Sequence, residues 1–434
     1  MVDRKTWHIE DPAIFIDGVH IPFWNAGRKF KYLGVNFTPW RGLDNGDTPE
    51  RLLAAFGCIS KLPLKPHQKV DLFYRYVYPR LRYVLVSDPP SESVLTRLDA
   101  DLRYLVKKVL HLTPSVTDSL FYTSSLNGGL GLPRITADVI TAYVKSFADL
   151  GESSDPVLLS LYEDSYAVNK VKVGARSLGL DWPVAARQVL KKRVSLKRAE
   201  LAHWKNLHSQ GHGVEYFVDD TIANAWLHDP SFLKPGRYID AIRMRTNTFG
   251  CRAVLKRAKA DGPVECRRCG DGPETLGHVL GKCSFSKARV IRRHDQIVDF
   301  IIQRIQAKNP QVTVLKEASF KANTGLLKPD LVVKDRDRAL VADVTVRYES
   351  TGSLERAAEE KSSKYSPLLC IVNETLGTSG GAVLPIVVGA RGALPKSTLS
   401  ALSSLGVSDK SDWLTISLMA LRSSIELACA FLDD

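Results

Sequence analysis

The length and charge of the chain limit the kinds of protein it can be. Its 434 residues are too many for one compact domain, and about three domains are expected. The net charge of +13 favours a polyanionic partner such as nucleic acid, because each phosphate neutralised by Lys or Arg releases counterions. No apolar run of about eighteen residues occurs, so we expect no membrane span. The seven cysteines are not spaced as a disulfide framework, which predicts a reducing compartment.

The first 45 residues predict a small β-meander. Apolar and polar side chains alternate over residues 8–40, and Asp17-Gly18 has the composition of a tight hairpin turn. We expect residues 30–35 to form one further strand.

Residues 46–125 predict helices, and the glycine-rich segment 127–133 ends this helical run. Thr48-Pro49-Glu50 has the composition of a helix start, and a second helix is expected from Pro66. The second helix carries an apolar face with Lys and Arg outside it. This arrangement fits a helix that grips nucleic acid as well as it fits an ordinary amphipathic core helix.

Residues 151–260 are basic and predict further helices. His203-Trp204-Lys205 adds an aromatic ring among cations, which favours backbone contacts and base stacking on nucleic acid. The alternative is the solvated face of a long helix. We expect Asp219-Asp220 to cap a helix over 221–228. The candidate nucleic-acid contacts are Lys191, Lys192, Arg193, Lys197 and Arg198.

Four potential zinc ligands follow in the spacing C-x2-C-x8-H-x4-C. They are Cys266, Cys269, His278 and Cys283. Three thiolates and one imidazole complete a tetrahedral shell with no open position, which is typical of a structural zinc site. The sequence therefore predicts a CCHC zinc knuckle over residues 261–290.

Two aspartates farther along the chain lie beside β-branched runs. Both Asp330 and Asp343 are embedded in these runs, which predict two adjacent strands, with twelve residues between the acids. The polar segment 334–338 predicts a hairpin turn, so both carboxylates can meet at one end of a sheet. Carboxylate oxygens hold magnesium, which polarises a phosphodiester and activates a water. An ordinary hairpin with solvated acids is the alternative.

The spacing P-D-x12-D resembles the PD-(D/E)xK nuclease superfamily. In that superfamily a lysine usually follows two residues after the second acid, but Thr345 stands at this position here. The predicted helix over 354–365 offers Lys361 and Lys364 as substitutes for the catalytic cation.

This resemblance implies a set of site residues. Asp330 and Asp343 would bind magnesium with the backbone carbonyl of Val344, and Lys361 or Lys364 would stabilise charge on the phosphate. The accessory candidates are Arg293, His294, Glu317 and Tyr365. We expect the surrounding elements to be a helix over 292–307, strands that carry Glu317 and both acids, a buried strand over 383–388 and a closing helix over 414–431.

The order of these motifs resembles the C-terminal region of non-LTR retrotransposon polyproteins that insert into ribosomal RNA genes and carry a restriction-like endonuclease. The knuckle is followed by R-H-D at 293–295 and then by K-P-D-x12-D. F-K-Y-L-G at 30–34 resembles the end of a reverse transcriptase palm, and N-G-G-L-G-L-P at 127–133 resembles the segment after the thumb. I-R-M-R-T-N at 242–247 resembles the segment before the knuckle.

The resemblance implies a multidomain α+β protein whose C-terminal part is an α/β nuclease core of the PD-(D/E)xK, restriction-like type. The expected segments are a palm end without the polymerase acids (1–45), a helical thumb (46–150), a basic helical linker (151–260), the knuckle (261–290) and the endonuclease (291–434). The chain resembles a fragment that begins downstream of the polymerase site.

The resemblance also implies an activity and partners. The implied activity is magnesium-dependent nicking of double-stranded target DNA, which primes reverse transcription of the element RNA. The implied cofactors are structural Zn²⁺ and catalytic Mg²⁺, and the implied location is the nucleus. The alternative is a non-catalytic nucleic-acid-binding protein that uses the zinc knuckle and the basic linker.

Overall fold

The computed structural model describes residues 13–21, 29–38, 42–43, 46–163, 165–258, 262–322 and 325–433. The chain forms two compact units. The first comprises Met1–Val109 with Pro133–Leu196, and the second comprises Leu110–Leu132 with Lys197–Asp434. Helices and sheets are mixed as expected, so the α+β class is confirmed, whereas the five-segment division stays a prediction.

Two short hairpins lie near the start of the first unit. Strands β1 (Phe15–Ile16) and β2 (Val19–His20) pair across the predicted Asp17-Gly18 turn, where both residues have positive φ. The prediction of one strand over 30–35 is wrong. Leu33 and Gly34 also have positive φ and reverse the chain between two paired strands. These are β3 (Phe30–Tyr32) and β4 (Val35–Thr38), and β5 (Gly42–Leu43) pairs with β4. Other parts of the predicted meander, at 8–12, 22–28 and 39–40, lie outside the described residues.

Helices form the rest of the first unit. Their apolar faces meet around α6, which packs against α3, α4 and α8. A π-helical turn, Phe73–Val77, joins α2 to α3. The helices are α1 (Thr48–Ser60), α2 (Pro66–Leu72), α3 (Tyr78–Ser87), α4 (Glu92–Val109), α6 (Ile135–Gly151), α7 (Pro156–Glu163), α8 (Ser165–Ser177) and the first part of α9 (Ala186–Asn206), while α5 (Ser119–Tyr122) belongs to the second unit.

A buried carboxylate ties three elements of the first unit together. Asp138 on α6 accepts hydrogen bonds from Tyr78 at 2.8 Å, from Arg82 Nε at 2.5 Å and from Arg193 on α9 at 2.9 Å. Burial raises the pKa of Asp138, but the hydrogen bonds from Arg82 and Tyr78 outweigh burial and leave it below its usual value.

The second unit begins with a glycine-rich segment packed on helices. Gly129 must lack a side chain, because a Cβ atom there would come within 2.2 Å of the carbonyl oxygen of Thr123. The following helices are α10 (Ala225–His228), α11 (Pro235–Arg245), α12 (Arg252–Ala258), α13 (Leu276–Gly281) and α14 (Lys287–Lys308).

The helix predicted over 221–228 is shorter than expected. Asp220 Oδ1 accepts hydrogen bonds from the backbone N–H groups of Ile222 and Ala223, so residues 221–224 form turns and only α10 remains helical. Asp219 has φ of 53° and bonds Asn127 through its own N–H.

A four-stranded sheet forms the centre of the C-terminal part. Its order is β11-β10-β9-β6, with β10 parallel to β11 and antiparallel to β9. The parallel pair is joined by two crossover helices, α15 and α16, as in a βαβ unit. The elements are β6 (Thr313–Lys316), β7 (Phe320–Ala322), β8 (Gly325–Leu327), β9 (Leu331–Asp335), β10 (Arg338–Arg347), α15 (Ser353–Tyr365), α16 (Leu368–Leu376), β11 (Gly380–Gly389), α17 (Lys396–Ser404) and α18 (Lys410–Asp433).

Both faces of this sheet are covered. Ile297 and Ile301 of α14 pack with Leu331 and Val344 on one face, and Tyr365 packs with Val341 on the other. By length and composition α18 could cross a membrane, but 56% of its most apolar window is buried, and the helix packs against α11, α13 and α14. Helix α18 is therefore a core helix of the second unit.

Candidate active site and zinc-binding module

The four predicted zinc ligands lie together. Their ligand atoms are all within 4.8 Å of one another. The Sγ atoms of Cys266 and Cys283 are 3.7 Å apart, and Cys269 Sγ lies 3.3 Å from His278 Nε2. Tetrahedral zinc with Zn–S bonds of about 2.3 Å holds two sulfurs about 3.8 Å apart. The cluster therefore fits a structural zinc ion with four protein ligands.

Local backbone geometry positions these ligands. The N–H of Gly270 bonds the carbonyl of Cys266 at 2.9 Å, and the N–H of Cys266 bonds the carbonyl of Gly272 at 2.9 Å. Both glycines have positive φ, which the tight turn that follows the second thiol, Cys269, requires. The Thr275 hydroxyl caps α13 by accepting from the N–H of His278, which orients the helix that carries the imidazole.

A buried carboxylate that sequence reasoning missed supports the module. Glu274 is 0% exposed and accepts hydrogen bonds from the N–H groups of Arg252 and Arg267 and from the guanidinium of Arg267. Burial raises the pKa of Glu274, but these bonds outweigh burial and lower it. The sequence held no signal for this role, because one partner lies 22 residues away.

The two predicted metal-binding acids lie at the same place in the sheet. Asp330 directly precedes β9, and Asp343 lies within β10. The ladder pairs Ala342 with Leu331, so its next step brings Asp343 opposite Asp330. The N–H of Val344 donates to Asp330 Oδ2 at 2.7 Å. Asp343 is 3% exposed, so its charge must be balanced by a cation.

His294 lies between the expected oxygen ligands. Its Nε2 is 3.1 Å from Asp330 Oδ2 and 3.1 Å from the carbonyl oxygen of Val344, while Nδ1 is 3.0 Å from Asp295. The hydrogen bond with Asp330 raises the pKa of His294 to about 9, against the effect of burial. A protonated imidazole thus balances the charge of Asp330.

Lys361 and Lys364 have different neighbours. Lys361 Nζ lies 2.5 Å from Asp343 Oδ2. The approach lacks hydrogen-bond directions, so this oxygen is a buried acceptor without a hydrogen bond. Lys364 instead donates to the hydroxyl of Tyr365 at 3.0 Å and lies 4.7 Å from the centroid of its ring.

Tyr365 is buried against the acids. Burial, followed by the hydrogen bond and charge of Asp343, raises the pKa of its phenol well above the usual value. Its hydroxyl also lies 3.2 Å from the carbonyl oxygen of Lys328, the residue two before Asp330. Tyr365 therefore stays neutral and helps to hold the K-P-D segment against α15.

Glu317 lies just past β6 instead of on a strand, because its φ of 50° ends the strand. Its N–H bonds the carbonyl oxygen of Asp330, while its carboxylate pairs with Lys328 at 2.5 Å. Arg293 is buried and donates to Ser424 and to the carbonyl of Leu280. It therefore holds α14 to α18 and α13, and its partners are not the acid pair.

The basic cluster lies on α9. Four of its five members are exposed, and Lys192 is half-buried. One of the exposed members, Arg193, is engaged with Asp138. The stacking role expected for Trp204 is wrong, since its ring is 0% exposed and its indole N–H donates to the carbonyl of Gln210 at 3.0 Å.

Comparison with known proteins identifies homologues. No family model matches the chain. Over an alignment of 430 residues, which covers 93% of this chain, it is 28% identical to the retrovirus-related Pol polyprotein from type-1 retrotransposable element R2 of Popillia japonica. The alignment covers 55% of that polyprotein. It is 25% identical over 366 residues, 83% of its length, to the polyprotein of type-2 element R2DM of Drosophila melanogaster, of which 33% is covered. A relative in Nasonia vitripennis is 25% identical over 344 residues, 78% of this chain and 31% of that protein.

The chain thus spans about half the length of the first of these relatives and a third of the second. The retrotransposon family inferred from the motifs is confirmed by these matches, since they extend over most of the chain.

Proposed function

We propose that this chain, whose homologues are R2-type retrotransposon Pol polyproteins, carries the DNA-nicking activity of such a polyprotein. The observation that carries the proposal is the meeting of three groups at one point of the sheet. Asp330, the residue before β9, stands opposite Asp343 of β10, and Lys361 of α15 reaches Asp343. This combination of two acids and a lysine fits hydrolysis of a phosphodiester.

The residues at this point fit a magnesium ion. Asp343 Oδ2 is a buried acceptor with no hydrogen bond, and Asp330 and the carbonyl of Val344 add two hard oxygen donors. Bound Mg²⁺ supplies polarisation of the phosphate and a water of lowered pKa. In this proposal Lys361 stabilises the negative charge that develops on the phosphate.

His294 has a second role in the proposal. Since its Nε2 contacts both Asp330 Oδ2 and the carbonyl oxygen of Val344, it balances the negative charge of Asp330. The imidazole then orients Asp330 through Nε2 while Asp295 fixes the ring through Nδ1.

The proposed substrate is double-stranded target DNA in the nucleus. A nick there supplies the 3′ hydroxyl from which the element RNA is reverse transcribed, with the CCHC module and the basic helix α9 contributing to nucleic-acid binding. The restriction-like PD-(D/E)xK class of the sheet is part of this proposal. The alternative of a non-catalytic binding protein has no support among the relatives, which are Pol polyproteins.

A nicking assay on supercoiled plasmid tests the proposal. The chain should nick DNA with Mg²⁺ and not when Mg²⁺ is omitted. Asp330→Asn and Asp343→Asn should lower the rate by about a thousandfold or more, yet leave DNA affinity within about threefold. Asp335→Asn, an exposed acid on the same hairpin, is the matched control. Parental rates in both acid variants would show that Asp330 and Asp343 are not the nuclease site.

A further inference from the structure

We propose that Tyr216 is a positioning residue of the proposed nuclease, which holds helix α15 where the Lys361 ammonium meets Asp343. The inference rests on the proposed function and adds the element that fixes its lysine. Tyr216 lies in a short 3₁₀ turn, Val214–Phe217, and 139 residues separate it from its contact on α15, Glu355.

The place of the lysine depends on a helix instead of a strand. A lysine two residues after Asp343 would be fixed by the hydrogen-bond ladder of β10, but Thr345 occupies that position. Lys361 is carried by α15, and a shift of this helix by about 1 Å is enough to lower a reaction rate by about a hundredfold. Since apolar packing on the sheet is non-directional, a directional polar contact is needed to fix the rotation of α15.

Tyr216 supplies such a contact at the first turn of α15. Its hydroxyl donates to the Glu355 carboxylate and accepts from the backbone N–H of Leu354 at 3.4 Å. That N–H is one of the groups at a helix start that have no partner within the helix. The N-cap residue, Gly352, has no side chain, so the phenol replaces the missing cap. Burial, followed by the hydrogen bond with Glu355, raises the pKa of Tyr216 to about 12, so the phenol keeps the proton that it donates.

Phe217 packs on the face of α15 that carries the lysine. Its buried ring belongs to the same apolar cluster as Leu354 and Ala357 of α15. Lys361 follows these two residues at helical spacings of seven and four, so all three lie on one face of the helix. The 3₁₀ turn therefore contacts both the start of α15 and the face from which Lys361 extends.

The start of the 3₁₀ turn is fixed to the central sheet. The buried guanidinium of Arg391 donates to the carbonyl oxygen of His212 at 2.8 Å. Gly213 has φ of 71°, and a Cβ atom there would lie 2.5 Å from the carbonyl oxygen of Glu349. Because Glu349 follows β10 and Arg391 follows β11, the turn is attached to the two strands that α15 covers.

The end of the 3₁₀ turn is fixed by two of the motifs found in the sequence. The side-chain amide of Asn224 donates to the carbonyl oxygens of Phe217 at 2.7 Å and of Leu126 at 2.8 Å. Arg245 of I-R-M-R-T-N donates to Asn224 Oδ1 at 2.7 Å and lies 3.5 Å from the centroid of the Phe217 ring. Leu126 directly precedes N-G-G-L-G-L-P. A hydroxyl on a turn held at both ends has little freedom, so it can fix the helix that it contacts.

A double-mutant cycle in a single-turnover nicking assay tests the inference. Tyr216→Phe keeps the ring and removes the hydroxyl, so it should lower the rate at saturating protein by about tenfold and change DNA affinity by less than about twofold. In a Lys361→Ala background the same change should lower the rate by less than about twofold further, because the hydroxyl acts through the lysine. Tyr104→Phe, which removes an exposed hydroxyl from α4, is the control and should leave the rate unchanged.

The carboxylate partner gives a matched pair of variants. Glu355→Ala should reproduce the loss seen in Tyr216→Phe, and the two changes together should be no slower than either alone. Glu355→Gln keeps an oxygen that accepts from the phenol, so it should retain the parental rate within about threefold. Glu359→Ala removes an exposed acid one turn later and is the control. Since Glu355 is exposed, its variants decide the question if Tyr216→Phe fails to fold.

Hydrogen exchange separates the inference from the nuclease assignment. Tyr216→Phe should raise the exchange rate of the amides at the start of α15 by about tenfold and leave α14 unchanged, whether or not the chain cleaves DNA. An unchanged nicking rate, an equal loss in the Lys361→Ala background or an equal loss of DNA affinity would each overturn the inference. If Lys361→Ala and Asp330→Asn nick at the parental rate while exchange at α15 rises, Tyr216 holds the helix and the nuclease assignment fails.

Discussion

Lys361 Nζ lies 2.5 Å from Asp343 Oδ2, and this contact between a helix and a strand puts a cation at the acid although Thr345 stands where strand β10 would carry one. Because Asp343 is buried and Lys361 is half-buried, the pair is partly shielded from water, and its interaction is stronger than on a surface. Lys364 is one turn away and is engaged with Tyr365.

This difference gives a prediction for the two lysines. Lys361→Ala should lower the nicking rate by about a hundredfold or more, since the loss of one charge-stabilising donor costs roughly 2.7–4 kcal/mol. Lys364→Ala should lower it by less than about tenfold, because its ammonium lies over the Tyr365 ring. Single-turnover nicking at saturating protein measures both rates. A larger effect from Lys364→Ala than from Lys361→Ala would contradict the assignment.

The zinc module should depend on its ion and on Glu274. Structural zinc in such modules contributes roughly 10–16 kcal/mol of apparent binding free energy, so Cys269→Ser should abolish stoichiometric zinc. Glu274→Ala leaves the backbone N–H groups of Arg252 and Arg267, and the partly exposed Arg267 guanidinium, without their carboxylate and should destabilise the module by roughly 1–3 kcal/mol. Elemental analysis and competition with a zinc chelator measure both effects. Glu265→Ala, an exposed acid of the same module, is the control, and full zinc in Cys269→Ser would contradict the ligand assignment.

Local patterns were sufficient to predict the zinc cluster and the acid hairpin. The spacing of Cys266 to Cys283 and the β-branched runs around Asp330 and Asp343 are features of short stretches of sequence. The structure brings the four Cys and His ligands together and pairs the two strands as these patterns predict. The distinction between Lys361 and Lys364 could not be predicted, because it depends on how α15 packs on the sheet.

Long-range polar contacts were not predictable for the same reason. Arg391 and Glu349 form a fully buried ion pair at 3.1 Å across 42 residues, and neither residue carries a local signal for it. The cations that surround Trp204 in sequence favour a stacking role for its ring. Its ring is instead packed in the core, and sequence neighbours on a helix do not determine which side faces inward.

The buried Asp138 should make the first unit sensitive to acid. Its folded pKa lies below the ordinary value of an aspartate, so its stabilising effect is present above that ordinary value and is lost as pH falls through the folded pKa. Asp138→Asn should lower the free energy of unfolding by about 3 kcal/mol at neutral pH, and this difference should shrink below about pH 4. Urea unfolding over pH 3–7 measures it. Asp149→Asn, an exposed acid on the same helix, should cost less than about 1 kcal/mol, and a pH-independent difference at Asp138 would contradict the prediction.

The cations of the basic cluster on α9 should have two different roles, DNA binding for some and structural stability for others. Among the described residues Lys191 and Lys192 form no ion pair, so Lys191→Ala with Lys192→Ala should flatten the log–log salt dependence of DNA binding by about 0.9 per lost phosphate contact. Arg193→Ala should instead lower the free energy of unfolding, because its guanidinium is 2.9 Å from Asp138.

Binding isotherms at several salt concentrations and urea unfolding distinguish these effects. The pair Lys396→Ala with Lys410→Ala, which removes the same charge from another exposed region, is the control and should leave the salt slope unchanged. An unchanged slope in the Lys191 and Lys192 variant would mean that this part of α9 is a solvated face. In that case the DNA contacts are expected from other cations of the chain, because a net charge of +13 still favours a polyanionic partner.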